Sequence, residues 1–247
     1  MNDYSPVNDP EQSRREQGRR IAIFGGRFDP VHNGHLAVAQ EVLRVGKVDE
    51  LWLSVENQHQ WRPIVASSAD RVAMLKLAIR SVIATPDSIR GKQSNNGHPG
   101  ETTISIGSQK EDSIATLQND SNDKFKVDTT PLQLGGSTAT LFVMRSLREK
   151  FPQHEFVFVV GSDQLSVFHK WTHWEDLEKE VHFLVVARKG SPMENVPKNA
   201  TVITDATYEP LEDSATRIRE LLGAGKSITG LVPVGVEKYI HRHDLYK

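Results

Sequence analysis

A short apolar segment that runs directly into a pair of glycines constrains the fold of this chain most. Residues 21–24, Ile-Ala-Ile-Phe, are apolar without alternation, which is the pattern of a strand buried on both faces. Residues 25–26 are glycines, and Leu36, Ala39 and Leu43 then follow at helical spacing. A buried strand, a tight turn and a helix form the first half of a βαβ unit, so this segment predicts a parallel sheet.

The same alternation of strands and helices continues along the chain. The apolar runs and helical stripes that follow predict strands over residues 50–55, 125–128, 156–160, 181–186 and 201–204, and helices from 67 or 68, over 137–150, from 213 or 214 to 222, and from 233. This order predicts an α/β fold with a doubly wound parallel sheet, Rossmann-like, in which ligands sit at the carboxyl ends of the strands.

Two polar segments interrupt this pattern. Residues 1–18 carry no hydrophobic period, and we predict a disordered N-terminal arm there, followed by a single domain over 19–247. Within that domain, residues 90–124 hold few large apolar side chains, so they cannot bury enough surface to offset their ordering entropy. We predict a flexible polar insertion, and a lid that orders on substrate is the alternative.

The composition narrows the classes of function. The chain has no cysteine, which excludes disulfides, thiolate zinc sites and cysteine nucleophiles. A net charge of −2 gives no general attraction to nucleic acid or anionic membranes, so a phosphate ligand needs a local site. The apolar runs fall far short of the ~20 residues that span a bilayer, and the first residues lack a secretory pattern. We therefore expect a cytoplasmic protein that binds neither nucleic acid nor membrane.

The segment between the first predicted strand and helix carries residues suited to phosphate chemistry. Gly25 and Gly26 let the backbone approach a ligand closely, and the helix N-terminus adds a positive partial charge. His32 and His35 are three residues apart and therefore lie on one face of the opening turn. Two imidazoles there can donate hydrogen bonds to oxygens that gain charge in a phosphoryl-type transition state. The alternative makes His32 a structural cap and His35 a buried, hydrogen-bonded histidine.

The whole string over residues 25–35, Gly-Gly-Arg-Phe-Asp-Pro-Val-His-Asn-Gly-His, resembles the nucleotidyltransferase superfamily of the H-x-G-H type. These enzymes join a nucleoside triphosphate to a phosphorylated acceptor and release pyrophosphate. The resemblance implies that His32 and His35 act at the α-phosphate and its leaving oxygen. It also implies that the loop contacts ATP, through Gly25, Gly26, Arg27 and Phe28. Arg27 stands where the family usually has Ser or Thr.

A second mark of the superfamily lies over residues 214–219, Ser-Ala-Thr-Arg-Ile-Arg. It resembles the Ile-Ser-Ser-Thr-x-Ile-Arg pattern of nucleotide adenylyltransferases, although Asp213 and Ala215 depart from that pattern. The resemblance implies that Ser214, Thr216 and Arg219 bind ATP. An arginine near a capped helix N-terminus suits the β- and γ-phosphates. A solvated helix arginine is the alternative for Arg219.

The segment after the strand predicted over 156–160 is similar to bacterial nicotinate-mononucleotide adenylyltransferases, in which a Gly-x-Asp turn precedes a tryptophan pair. The resemblance implies that Asp163 contacts the nucleotide and that Trp171 stacks on the pyridine ring of the acceptor. An indole face is a good platform for such a ring. Thr140, in a stretch reduced from the family's Ser-Tyr-Thr-x-Asp-Thr, is expected to bind the acceptor. The alternative is that Trp171 and Trp174 are core residues, and we prefer this interpretation for Trp174.

Together these resemblances imply an adenylyltransferase that joins ATP to nicotinate mononucleotide, or nicotinamide mononucleotide, and releases pyrophosphate in NAD biosynthesis. The expected catalytic residues are His32, His35 and Arg219. Mg²⁺ is expected with ATP, without a dedicated protein metal site. The partners are then ATP and a pyridine mononucleotide, and a homo-oligomeric state is left open. The alternatives are a related transferase that uses phosphopantetheine or CTP, a class I tRNA-synthetase-like fragment, and a non-catalytic nucleotide-binding module.

Overall fold

Six parallel strands and one short antiparallel strand form a sheet in the computed structural model, which describes residues 18–57, 63–84, 114–115, 124–135, 139–187, 193–203 and 214–247. The strands are β1 (Arg20–Gly26), β2 (Glu50–Val55), β3 (Ile114–Ala115), β4 (Phe125–Asp128), β5 (Glu155–Gly161), β6 (His182–Val186) and β7 (Ala200–Ile203). They lie in the order β3-β4-β2-β1-β5-β6-β7. The six parallel strands therefore follow the Rossmann order, which confirms the predicted doubly wound sheet.

Helices cover both faces of this sheet. They are α1 (Asn33–Val45), α2 (Ser68–Ala84), α3 (Thr130–Leu134), α4 (Thr140–Lys150), a 3₁₀ helix (Ser162–Lys170), α5 (Trp174–Glu180), α6 (Ala215–Gly223) and α7 (Val234–Arg242). One apolar core includes buried residues of α1, α2, α6 and α7, and a second includes buried residues of α4, the 3₁₀ helix and α5. Two cores on opposite faces are what a doubly wound sheet produces.

The strand order reverses direction at β1, and this reversal positions the site. β1 pairs with β2 on one side and with β5 on the other, so that Ile23 has both Trp52 and Phe158 as register partners. The connections leaving the carboxyl ends of β1 and β5 therefore diverge to opposite faces of the sheet. Such a point opens a crevice, and ligands of open α/β sheets bind there.

The structure differs from the sequence-based prediction in several details. α3 was not predicted, and α4 begins at Thr140, whereas the prediction began at 137; residues 136–138 lie outside the described part of the chain. β6 begins one residue later than predicted, at His182. The predicted arm is outside the described residues except for Gly18, as is most of the predicted insertion. Two residues of that insertion form β3, which pairs antiparallel with β4 at the sheet edge.

Within the described residues, no helix is both long and apolar enough to cross a membrane.

Candidate active site

The two glycines at the end of β1 are closely packed by aromatic rings. A Cβ on Gly25 would lie 3.0 Å from the ring of Phe158 in β5, and a Cβ on Gly26 would lie 3.0 Å from the ring of Phe28. Phe28 is 1% exposed, and its backbone has a left-handed φ of 48°, which residues other than glycine rarely adopt. The end of β1 therefore has little room for side chains at its two glycines, and the loop that follows contains a residue with a strained backbone, as functional loops often do.

The two predicted histidines meet at the start of α1. His32 is the cap residue of that helix, extended at φ −142° and buried, and its backbone N–H donates to Nδ1 of His35 at 3.3 Å. The ring centroids of His32 and His35 are 3.8 Å apart, and the ring of Phe28 contacts His35 edge-on at 5.0 Å. His32 thus has the capping position that the alternative interpretation gave it. The same position puts both rings at the positive end of the α1 dipole, where an anion is stabilised.

Asp29, inside the loop, receives hydrogen bonds from three directions. Its carboxylate accepts from the backbone N–H groups of Val65 (2.7 Å) and Ala66 (3.0 Å) and from the phenol of Tyr246 (2.8 Å). The side chain is 1% exposed, so these donors replace the water that a buried carboxylate loses. Asp29 was part of the recognised string but was not predicted as a site residue, because its partners lie far away in sequence.

Arg219 reaches the same loop from a helix near the end of the chain. It lies one turn into α6, its Nη1 donates to the carbonyl oxygen of Asp29 at 2.6 Å, and its Nη2 donates to Oγ1 of Thr216 at 3.3 Å. Arg219 is therefore held against the loop, unlike a solvated helix arginine. Ser214 caps α6 by accepting from the N–H of Arg217 at 3.2 Å, which confirms the predicted cap.

A buried arginine, Arg71, donates hydrogen bonds to the backbone of the loop after β1. Arg71 in α2 is 1% exposed, and its Nη1 donates to the carbonyl oxygens of Arg27 (2.8 Å) and Glu56 (2.7 Å). Arg27 itself donates to the carbonyl of Pro63 at 3.3 Å. Arg71 was not predicted as a site residue, because an arginine on a helix is usually solvated.

Burial and the neighbouring arginines also shape the charge of Glu56, which follows β2. Burial raises the pKa of Glu56 to about 7, although the positive charges of Arg27 and Arg71 oppose this increase. Burial likewise lowers the pKa of Arg71. This edge of the site therefore contains a carboxyl group whose charge changes near neutral pH.

The residues predicted on the nucleotide and acceptor side follow β5. Asp163 is exposed in the first turn of the 3₁₀ helix, and its carboxylate accepts from the side-chain amide of Gln164 at 2.8 Å. Trp171 ends this helix, half-buried, with its ring 6.1 Å from that of Phe158 and 5.5 Å from that of Phe168. Since Phe158 also packs close to Gly25, the ring of Phe158 lies between Trp171 and the end of β1.

Trp174 and Thr140 lie on two helices beside this turn. Trp174 begins α5, after the 3₁₀ helix has ended, and its ring lies 6.4 Å from that of Phe168, which the ring of Trp171 also contacts. Both tryptophans therefore pack partly against the second core. Thr140 begins α4 and is half-buried. Phe142, two residues later, contacts the ring of His173 at 5.1 Å, which brings the first turn of α4 against the turn that carries Trp171.

Metal ligands do not cluster in the part of the chain that the structure describes, where no three His, Cys, Asp or Glu side chains come together to hold an ion. The expectation that Mg²⁺ accompanies ATP stays a prediction.

Comparison with known proteins shows the family of this chain. The cytidylyltransferase-like family model matches residues 23–221, which include the loop after β1, both histidines and Arg219. The chain belongs to the cytidylyltransferase-like family. Relatives in sequence include proteins that carry the name nicotinate-nucleotide adenylyltransferase. One from Bacillus licheniformis, named as probable, is 30% identical over 93% of this chain and 99% of that protein. Another, from Bacillus subtilis, is 28% identical with the same coverage.

A solved structure confirms the fold of this family member. The nicotinic acid mononucleotide adenylyltransferase of Plasmodium falciparum, in complex with NaAD, aligns with a TM-score of 0.66 over 92% of this chain and 97% of that one. The sequences are 18% identical in this alignment, so the likeness shows the fold and says nothing further about the site.

Proposed function

We propose that the protein transfers the adenylyl group of ATP to nicotinate mononucleotide, which yields the dinucleotide and pyrophosphate in NAD biosynthesis. One observation carries the proposal: Asp29 joins the loop of His32 and His35 to Arg219, although 190 residues separate Asp29 from Arg219. This hydrogen bond supports a site in which two imidazoles and a guanidinium face the phosphates of one nucleotide, as transfer from a nucleoside triphosphate requires. The names of the relatives support the reaction and the acceptor.

The residues present can catalyse this transfer without a side-chain base. A phosphate monoester has its second pKa near ~6, so the attacking 5′-phosphate oxygen is largely ionised at neutral pH. It bonds to the α-phosphorus of ATP while the bond to the bridging oxygen breaks, and pyrophosphate leaves with the electron pair. His32 and His35 donate to the α-phosphate and to that oxygen, and Arg219 binds the outer phosphates. Catalysis then consists of positioning and neutralisation of charge.

The remaining contacts with ATP and with the acceptor are assigned to residues near the same loop. Gly25, Gly26, Arg27 and Phe28, with Asp163, Ser214 and Thr216, are proposed to contact ATP, and Mg²⁺ arrives with the triphosphate, held mainly by phosphate oxygens and water. Trp171 supplies a face for the pyridine ring, and Thr140 lies on the acceptor side. We place the reaction in the cytoplasm, where free nucleotides are available, and the absence of cysteine is compatible with that compartment.

Pyrophosphate release tests the reaction and the two substrates at once. Purified protein with Mg²⁺ is given ATP or CTP together with nicotinate mononucleotide, nicotinamide mononucleotide or phosphopantetheine. We expect the highest kcat/KM with ATP and nicotinate mononucleotide. A preference for CTP or phosphopantetheine would replace this proposal with another reaction of the family. Absence of pyrophosphate in every combination, from protein that melts cooperatively, would favour a non-catalytic nucleotide-binding module.

A further inference from the structure

The residues that follow α7 turn back into the molecule. The N–H of Leu245 donates to the carbonyl of Ile240 at 3.1 Å, and both Asp244 and Tyr246 have left-handed backbones, with φ of 52° and 66°. Neither is glycine, so this turn is strained and must be held by contacts made further along. Tyr246 makes those contacts and is 8% exposed.

Tyr246 contacts the loop after β1 and lies near the end of the helix that carries Arg219. Its phenol donates to Oδ1 of Asp29 at 2.8 Å, and its carbonyl oxygen would lie 4.0 Å from a Cβ on Gly223, at the end of α6. Arg219 is on that helix and bonds to the carbonyl of the same Asp29. Tyr246 therefore belongs to the core that includes Ile218 of α6, and it fixes the residue on which the guanidinium rests.

Asp29 transmits this arrangement to Arg219. Its carboxylate is fixed by Tyr246 and by the backbone at Val65 and Ala66, so the peptide of Asp29 has one orientation, and that orientation sets where its carbonyl points. Burial and the adjacent Asp29 carboxylate raise the pKa of Tyr246. The phenol thus stays protonated and remains a donor throughout the pH range of the reaction.

We infer that Tyr246 is a positioning residue for the transfer: through Asp29, it holds the guanidinium of Arg219 where the outer phosphates of the nucleotide bind. The inference rests on the proposed function, because it assigns Tyr246 to the polyphosphate end of that site. Tyr246 itself does not touch substrate.

The chain offers a matched control in Tyr239. Its phenol donates to Oδ1 of Asp70 at 3.0 Å and ties α7 to the first turn of α2. Tyr239→Phe and Tyr246→Phe each remove one phenol–carboxylate hydrogen bond and keep the ring with its packing. Both variants should therefore fold, and Tyr246→Phe should lose more stability, because its carboxylate partner is buried and that of Tyr239 is half-buried. Only Tyr246→Phe loosens the residue that holds Arg219.

The test compares kcat and KM of the two variants with their melting temperatures. We expect Tyr246→Phe to lower kcat by about fivefold or more, with the KM for the acceptor within about twofold, whereas Tyr239→Phe leaves both within about twofold. In an Arg219→Ala background, Tyr246→Phe should cause no further loss, since it acts through that arginine. The inference is overturned if Tyr246→Phe keeps the wild-type kcat, if both phenylalanine variants lose kcat equally, or if the loss persists without Arg219.

A binding measurement separates this inference from the proposed function. Inorganic tripolyphosphate is titrated against wild type and both variants, with no acceptor present. We expect Tyr246→Phe to raise its Kd by about fivefold and Tyr239→Phe to leave it within about twofold. If the wild type releases no pyrophosphate, the proposed function fails, and this titration alone decides the role of Tyr246; equal Kd values in all three proteins would end it.

Discussion

At the scale of single residues, His32 and His35 meet at the start of α1, where His32 is the cap residue and His35 lies in the first turn. His35 accepts a hydrogen bond from the backbone of His32 and packs on Phe28, so its ring is fixed before any substrate arrives. We expect His35→Ala to lower kcat by at least roughly a hundredfold, because a preorganised donor to the α-phosphate is lost. The measurement is pyrophosphate release under saturating ATP and acceptor.

The control for this prediction is another histidine of the same protein. His241→Ala, on the exposed side of α7, should leave kcat unchanged. A folded His35→Ala protein with the wild-type rate would remove His35 from the proposed mechanism.

Glu56 gives a prediction about pH at the same scale. Its pKa is raised from an ordinary value of 4.5 to about 7 by burial, so the folded state favours the neutral carboxyl. The stability linked to Glu56 is therefore fully present below pH 4.5 and is lost as the pH rises through 7. Glu56→Gln mimics the neutral form. We expect equal stability of variant and wild type at acid pH, and a variant more stable by about 1–3 kcal/mol above pH 8.

Denaturant unfolding at several pH values checks this prediction. Glu149→Gln, at an exposed position of α4, is the surface control. A stability difference between Glu56→Gln and wild type that does not change with pH would contradict the assigned titration.

Site residues that belong to a local pattern could be predicted from the sequence, and residues that act through distant partners could not. Gly25, Gly26, His32 and His35 lie within one short segment whose spacing already indicates phosphate chemistry. Tyr246 and Asp29 are 217 positions apart, and their hydrogen bond follows no periodicity. A buried polar residue is recognisable only when its partner is known, because the sequence shows the residue and not the bond.

At the scale of secondary-structure elements, α6 positions Arg219 relative to the loop after β1. Its cap at Ser214 fixes where the helix begins, and one turn later Arg219 faces the loop after β1. Lysine would keep the charge of Arg219 but could not bridge the Asp29 carbonyl and Thr216 at once. We expect Arg219→Lys to lower kcat/KM for ATP by about ten- to a hundredfold.

Arg217→Lys, on the exposed side of the same helix, is the matched variant and should change little. Steady-state kinetics with varied ATP make the comparison. If the two lysine variants behaved alike, the assignment of Arg219 to the outer phosphates would be wrong.

The segment after β5 carries the acceptor prediction. Both tryptophans are half-buried and contact Phe168, Trp171 directly after the 3₁₀ helix and Trp174 at the start of α5. We expect Trp171→Ala to raise the KM for nicotinate mononucleotide by about tenfold, since a stacked ring is worth about 1–3 kcal/mol. Trp174→Ala should lower the melting temperature without this effect on KM. A Trp171→Ala enzyme with the wild-type KM would place the pyridine ring elsewhere.

Elements with continuous apolar runs could be predicted closely, and elements defined by short-range geometry could not. β5 and β6 lie within one residue of their predicted bounds at each end, because their buried apolar runs are continuous. The 3₁₀ helix and the left-handed His173, with φ of 58°, separate Trp171 from Trp174. That separation depends on backbone angles, which a spacing of three residues does not reveal.

At the scale of the whole molecule, the carboxyl and amino ends of the parallel strands carry different groups. The carboxyl edge holds the loop, Arg219 and Trp171, while the opposite edge holds a buried ionic cluster around Glu50 at the start of β2. Glu50 accepts hydrogen bonds from Arg19, Lys126 at 2.8 Å and the indole of Trp52 at 2.8 Å. These partners precede β1 or lie in β4 and β2, so the cluster ties three neighbouring strands together.

This division predicts that stability can be lowered without loss of activity. Burial by itself would raise the pKa of Glu50, but the bonds from Lys126, Trp52 and Arg19 hold it below its ordinary value. The stability from Glu50 is thus present above pH 4.5 and is lost as the pH falls through the lowered pKa.

We expect Glu50→Gln to cost about 2 kcal/mol at neutral pH, less in acid, with kcat unchanged. The exposed ion pair of Glu155 with Arg20 lies at the same edge, and Glu155→Gln should cost at most about 1 kcal/mol. Unfolding curves from pH 3 to 8, together with pyrophosphate release at neutral pH, make the measurement; a fall in kcat with Glu50→Gln would show that the two edges are coupled.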